Sequence, residues 1–146
     1  MSSRKIVIVD DDQDQAMGLS IRLRACGYTV VAARDAIQAI AVIRKEQPDL
    51  VVLDIGLPGG DGHTVLQRLR SMGPTSLLPI IVLSAMDPAS HRERMLSAGA
   101  FAYFQKPADD RALVAAIGQA LGESERSAAH GDGPPAAGDA LRRPAA

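Results

Sequence analysis

The sequence predicts an α/β fold: a three-layer sandwich in which a five-stranded parallel sheet lies between two layers of helices. Three observations predict it. Apolar runs of strand length alternate five times with amphipathic stretches of helix length, and the joints between them are short and rich in Gly, Pro and Asp. The runs around Ile6–Val9, Leu50–Leu53 and Pro79–Leu83 are so uniformly apolar that they must be buried on both faces. Short connections between strands and helices then require parallel strands, right-handed crossovers and helices on both sides of the sheet. A length of 146 residues holds one such domain and a tail, with no second core.

Each element has its own signature. Strand 1 is expected over about Lys5 to Val9. Helix 1 runs from about Gln13 to Cys26, with Ala16, Leu19, Leu23 and Cys26 along one apolar face and Gly27 as its stop. Cys26 reads as a small core residue. Strand 2 covers Thr29 to Ala33, and helix 2 follows from the N-cap Asp35 to about Glu46, where Pro48 prevents continuation. Strand 3 is Leu50 to Asp54. Helix 3 spans about Gly62 to Met72, with Val65, Leu66 and Leu69 facing inward. Strand 4 is Pro79 to Leu83, and helix 4 opens at Asp87-Pro88, a cap followed by Pro at the first helical position, and stops at Gly99. Strand 5 is Phe101 to Gln105, and helix 5 runs from about Asp109 to Leu121.

Strands 1, 3 and 4 are the most apolar and belong at the centre. Strand 2, with Tyr28 and Thr29, and strand 5, with Gln105, read as edges. This favours a flavodoxin-like (βα)5 arrangement with strand order 2-1-3-4-5 and its switch point between strands 1 and 3. From Glu123 onward the composition turns to Ser, Ala, Gly, Pro, Asp and Arg, too poor in large apolar side chains to offset the entropy of ordering. The expected organisation is therefore a domain over residues 1–122 and a disordered tail over 123–146.

Composition excludes several classes. A formal net charge of −1 argues against a phosphate-backbone binder relying on a broad basic surface, so no direct nucleic-acid binding is expected. The single cysteine forbids an intrachain disulfide and fits a reducing compartment. No stretch approaches the ~20 apolar residues of a membrane span, and Met1-Ser2-Ser3-Arg4-Lys5 runs into strand 1 without a signal-peptide core. A soluble, cytoplasmic protein is expected.

The chemistry gathers at strand ends. Asp54 closes strand 3 ahead of the Gly/Pro-rich stretch Ile55 to Gly62, and Asp10-Asp11-Asp12 follows strand 1. Open α/β sheets hold ligands at the carboxyl ends of their strands, beside the switch point. Carboxylates delivered there by two strands suggest a divalent-cation site with one carboxylate left for chemistry. Like charges so close should raise at least one pKa in the cluster. Asp12 reads as the cap of helix 1 rather than a ligand. Pro58, Gly59, Gly60 and Gly62 shape the loop after strand 3; their spacing is not that of a phosphate-binding loop.

Ser84-Ala85 at the end of strand 4 and Lys106-Pro107 at the end of strand 5 complete a set of motifs. With Ile-Val-Asp-Asp-Asp, Leu-Asp-Ile-Gly-Leu-Pro-Gly-Gly-Asp-Gly, Leu-Ser-Ala and Gly-Ala-Phe-Ala-Tyr-Phe-Gln-Lys-Pro in order, the stretch from Lys5 to about Leu121 resembles the receiver domain of two-component response regulators, the family that includes the bacterial chemotaxis regulator. The resemblance implies a phosphoacceptor rather than a turnover enzyme, with intrinsic autophosphorylation and autodephosphorylation chemistry. Asp54 would take a phosphoryl group from a histidine kinase or histidine phosphotransfer protein. Asp10, Asp11, Asp54 and the backbone carbonyl of Gly56 would hold Mg²⁺ or Mn²⁺. Lys106 and Ser84 would contact phosphoryl oxygens, and the small Ala85 would leave the site open to a phosphodonor. Pro107 would follow a cis bond that aims Lys106 inward.

The same resemblance implies a switch in which Ser84 moves inward and Tyr103 changes rotamer, altering the surface of helix 4, strand 5 and helix 5. Arg92, Met95, Phe101 and Tyr103 are the expected partner-facing residues there, for an unidentified downstream protein or a phosphorylation-dependent dimer. Phe101 and Ala102 stand where many family members carry acids, which makes this surface more apolar than usual. A stand-alone phosphorelay protein is the reading preferred; a receiver belonging to a hybrid histidine kinase or a DNA-binding regulator is the alternative. Haloacid-dehalogenase-like phosphatases offer a more distant one, since Asp10 and Asp12 have the spacing of their paired aspartates, but no cap insertion follows. A docking module that is never phosphorylated is argued against by the intact set of site positions.

Overall fold

The computed structural model describes residues 3–56, 62–85, 88–123 and 141–142. Strands β1 (Lys5–Val9), β2 (Thr29–Ala33), β3 (Leu50–Asp54), β4 (Ile80–Ser84) and β5 (Ala102–Gln105) alternate with helices α1 (Gln13–Ala25), α2 (Ala36–Glu46), α3 (Gly62–Ser71), α4 (Pro88–Ser97) and α5 (Asp110–Ala120). The five strands are parallel in the expected order, 2-1-3-4-5. β1, β3 and β4 are central because only they can be apolar on every side: from Ile6 to Val9, Leu50 to Leu53 and Ile80 to Ser84 every residue is buried.

Alternation along the strands divides the core in two. Val7, Val9, Val51, Leu53, Ile80, Val82 and Tyr103 face the layer of α2, α3 and α4. Ile6, Ile8, Leu50, Val52, Ile81, Leu83 and Phe104 face α1 and α5. The helices answer with Ile40, Ile43, Leu66, Leu69 and Met95 on the first side and with Leu23, Leu113, Ala116 and Ile117 on the second.

Register carries the site. Asp54 pairs with Leu83, and Ser84 with Gln105, so the last residues of β3, β4 and β5 reach the same sheet edge. At the β1 end, the Asp10 N–H donates to the Ala33 carbonyl (3.0 Å). At the β5 end, the Lys106 N–H donates to the Ser84 carbonyl (2.7 Å).

Three expectations need correction. Cys26 is exposed: α1 ends at Ala25, and Cys26 serves as its C-cap, donating its N–H to Leu23, rather than continuing the buried face. Met95 (1 % exposed), on the inner face of α4, and Tyr103 (0 %), beneath that helix, are buried, so neither offers partner surface in this conformation, while Phe101 and Arg92 are partly exposed. β5 is not the sheet edge, because a two-residue strand β6, Leu141–Arg142, pairs with it antiparallel through Tyr103 and Ala102. The free backbone edge of β5 offers these two residues hydrogen bonds that composition does not reveal. At the end of α5, Glu123 accepts from the Tyr28 hydroxyl (2.9 Å) and its own N–H donates to the Gly118 carbonyl. The expected cap Asp87, loop residues Pro58, Gly59 and Gly60, and the tail segments 124–140 and 143–146 lie outside the described residues. Among the described residues no helix is long and apolar enough to cross a membrane.

Candidate functional site

Three strand ends and the first turn of α1 build one cluster. Asp10 ends the buried run of β1 and is itself 6 % exposed. Its Oδ1 accepts the Asp12 N–H (2.9 Å), turning the chain out of the strand and leaving Oδ2 directed at Lys106. Asp12 then caps α1, accepting the N–H groups of Asp14 (3.0 Å) and Gln15 (3.1 Å). That engagement with the helix is the capping role expected of Asp12, and it leaves Asp11, exposed like Asp12, as the uncommitted carboxylate that joins the cluster.

Asp54 is presented by β3, with Oδ1 accepting the Gly56 N–H (3.0 Å) and Oδ2 facing Lys106. The chain returns from the loop at Gly62, whose N–H donates to the Ile55 carbonyl (2.8 Å). A Cβ at position 62 would stand 2.7 Å from the Asp54 carbonyl oxygen, so only glycine lets α3 start this close to the end of β3. Ser84 is buried at the end of β4, and Ala85 beside it is exposed. The Lys106–Pro107 bond is cis.

One oxygen from each of Asp10, Asp11 and Asp54 lies within 4.8 Å of the other two. An all-oxygen donor set of this kind, on the rim rather than in the core, fits a hard divalent cation that keeps several waters, as Mg²⁺ does. The Lys106 ammonium sits 3.2 Å from both Asp10 Oδ2 and Asp54 Oδ2. Its pKa is raised: burial pulls it down, and the charges of Asp54 and Asp10 together with their hydrogen bonds more than offset that. Asp10 is the carboxyl whose pKa rises, but burial is the leading cause and the repulsion of Asp54 a small one, with the Asp12 N–H and Lys106 pulling the other way. The cluster therefore strains one carboxyl mainly by taking it out of water, not by crowding charge against it.

A third partner of Lys106 escapes sequence reasoning. Gln15 Oε1 accepts from Nζ at 2.9 Å. Gln15 stands three residues after the N-cap Asp12, where a Gln ordinarily reaches back to the cap. The one available signal was that this position opens onto the strand ends.

Residues 6–118 match the family model described as the response regulator receiver domain. The chain belongs to that family. This receiver is 43% identical over 105 residues to the response regulator MprA of Mycobacterium ulcerans (strain Agy99), a match covering 72% of this chain and 44% of that protein. It is 36% identical over 122 residues to the DNA-binding dual master transcriptional regulator RpaA of Synechocystis, covering 84% of this chain and 51% of the other. A crystal structure of a response regulator from Chloroflexus aurantiacus J-10-fl shares 36% identity with a TM-score of 0.79, covering 83% of the receiver and 99% of that chain. The receiver spans about half the length of the curated relatives it matches.

Proposed function

We propose that this receiver is a phosphoacceptor switch whose nucleophile is Asp54. The observation that supports it best is the Lys106 ammonium held 3.2 Å from Asp54 beside three converging carboxylates. In the step proposed, an Asp54 carboxylate oxygen attacks the phosphorus of a phosphohistidine on a kinase or phosphotransfer protein. An O–P bond forms, the N–P bond breaks, and its electron pair leaves with the imidazole nitrogen. The carboxylate carries no proton to lose, so positioning and charge are what the protein must supply. Asp10, Asp11 and Asp54 would hold Mg²⁺ or Mn²⁺, with the Gly56 carbonyl as a fourth protein donor. When bound, that ion supplies charge neutralisation at the phosphoryl oxygens. Lys106 pairs a phosphoryl oxygen as a point charge, and the Ser84 hydroxyl binds another. Ala85 leaves the approach open.

The product is a state of the domain, not a released molecule. New charge-assisted hydrogen bonds, made only when Asp54 is phosphorylated, favour a conformation in which Ser84 is drawn inward and Tyr103 repacks. Tyr103 is fully buried beneath α4 and neighbours Val82 across the sheet, so its rotamer change would shift α4 directly. The altered face would carry Arg92 and Phe101, and it would bind a downstream protein or a second copy. We place this action in the cytoplasm, consistent with a lone thiol and no membrane-crossing helix among the described residues.

We take the switched face to act on a separate protein. A second reading, that it governs an attached DNA-binding part, is favoured by the greater length of RpaA, described as DNA-binding. The mass of the native polypeptide, near that of 146 residues or roughly twice as large, separates them.

The deciding experiment is Mg²⁺-dependent labelling with a small phosphodonor such as acetyl phosphate, comparing wild type with Asp54→Asn. One equivalent of label on wild type and none on the variant is expected. Label that persists on D54N would remove Asp54 from the role.

A further inference from the structure

An ammonium group has three N–H donors and no more. In this receiver all three find acceptors: Asp10 Oδ2 and Asp54 Oδ2 at 3.2 Å, and Gln15 Oε1 at 2.9 Å. The shortest of the three is the uncharged one. Gln15 is itself held in place, because its N–H donates to the Asp12 carboxylate that caps α1. Its reach is therefore set by the first turn of a thirteen-residue helix rather than by a loop.

We propose that Gln15 is a positioning residue for phosphoryl transfer to Asp54. By occupying one N–H of Lys106, it leaves the other two aimed at Asp10 and at the oxygen that Asp54 shares with the incoming phosphoryl group. Its neutrality matters as much as its reach. A carboxylate in its place would form a third ion pair and cancel charge that Lys106 owes to the phosphoryl oxygens. An amide orients the ammonium without weakening its field. Asp54 gives up its present geometry when it is loaded, while Gln15 lies on a different element and keeps its bond, so the lysine stays tethered through the reaction. The inference rests on Asp54 being the phosphoacceptor.

The test compares wild type, Gln15→Met and Gln13→Met in acetyl phosphate labelling over a range of Mg²⁺ and a range of donor concentration, each with the other saturating. Methionine keeps the length and helix propensity of Gln but removes the amide oxygen, and the exposure of both positions leaves the core untouched. Gln13 is the control, since its amide faces the Arg34 guanidinium instead of Lys106. Q15M is expected to lower the maximal labelling rate by about two- to tenfold, the worth of one ordinary hydrogen bond. Its half-saturating Mg²⁺ and donor concentrations should stay within about twofold of wild type, and Q13M should match wild type throughout. An unchanged maximal rate in Q15M overturns the proposal. So does a loss that appears in the half-saturation constants instead, or one that Q13M reproduces. Wild type that takes no label defeats the phosphoacceptor reading itself, which is a different result from label that Q15M leaves untouched.

Discussion

Two adjacent carboxylates meet different fates, and the turn that leads into α1 decides which. Asp12 Oδ1 accepts the N–H groups of both Asp14 and Gln15, while Asp11 joins the cluster of Asp10 and Asp54. Metal binding should therefore depend on Asp11 and not on Asp12. Mg²⁺ at about a hundred times its dissociation constant should stabilise the fold by about 2.7 kcal/mol. That corresponds to roughly 5–10 °C in melting temperature for a domain of this size. Asp11→Asn should shrink most of that shift, measured by thermal melts with Mg²⁺ and with EDTA. Asp12→Asn should keep the shift, since Asn caps a helix as well as Asp does; a shift lost in D12N and kept in D11N would reverse the assignment. At this scale the carboxylates, Ser84 and Lys106 were legible because each ends a recognisable strand. Gln15 was not: at its position a glutamine reads as a local capping partner, and its bond to a residue 91 positions away exists only once the C-terminal ends of β1 and β5 reach the same sheet edge.

Elements were legible wherever an apolar run had a clear end. β2 and β3 fall where their runs predict, and α2 stops at Gln47, in the left-handed region just ahead of Pro48. What period and composition could not say was direction. Both faces of β5 are buried, so alternation marks Tyr103 and Phe104 as opposite without telling which one meets α4. The same limit put Met95 on the surface in expectation and in the core in fact. Gly62 joins element to site, because its lack of a side chain lets α3 begin against Ile55 and the Asp54 carbonyl. Gly62→Ala should therefore cost about 1–3 kcal/mol or more, as overpacking does against backbone that cannot yield. It should also slow labelling of Asp54, whereas Leu66→Ala, a buried cavity on the next turn, should cost about 2–5 kcal/mol and leave the labelling rate of the folded fraction unchanged. Urea melts paired with labelling would check this; a G62A protein as stable and as quickly labelled as wild type would show that the loop can shift to make room.

For the whole molecule, the sheet order followed from which strands tolerate burial on both faces, but the contacts made at the end of α5 did not follow from composition. Glu123 opens a stretch with almost no large apolar residue, yet it ties the end of α5 to the far side of the layer. Its carboxylate accepts from the Tyr28 hydroxyl and lies 3.8 Å from the Arg4 guanidinium. Polar residues at such a boundary are ordered by single partners distant in sequence, which a composition window cannot register. The bond has a signature in pH. The Tyr28 phenol is held protonated well above its ordinary value of 10.0, first by burial and then by Glu123. The fold retains a proton there that the unfolded chain gives up. This contribution to stability is therefore complete below pH 10.0 and is lost progressively as pH rises toward the pKa of the folded state. The chain has no Trp and two Tyr, so tyrosinate absorbance can be assigned by difference. Subtracting the titration of Tyr28→Phe from that of wild type should leave a transition well above pH 10.0, and Glu123→Gln should bring it part of the way back while burial keeps the remainder. A Tyr28 that titrates at its ordinary value in the folded protein would mean that α5 is not anchored to the β1–β2 side.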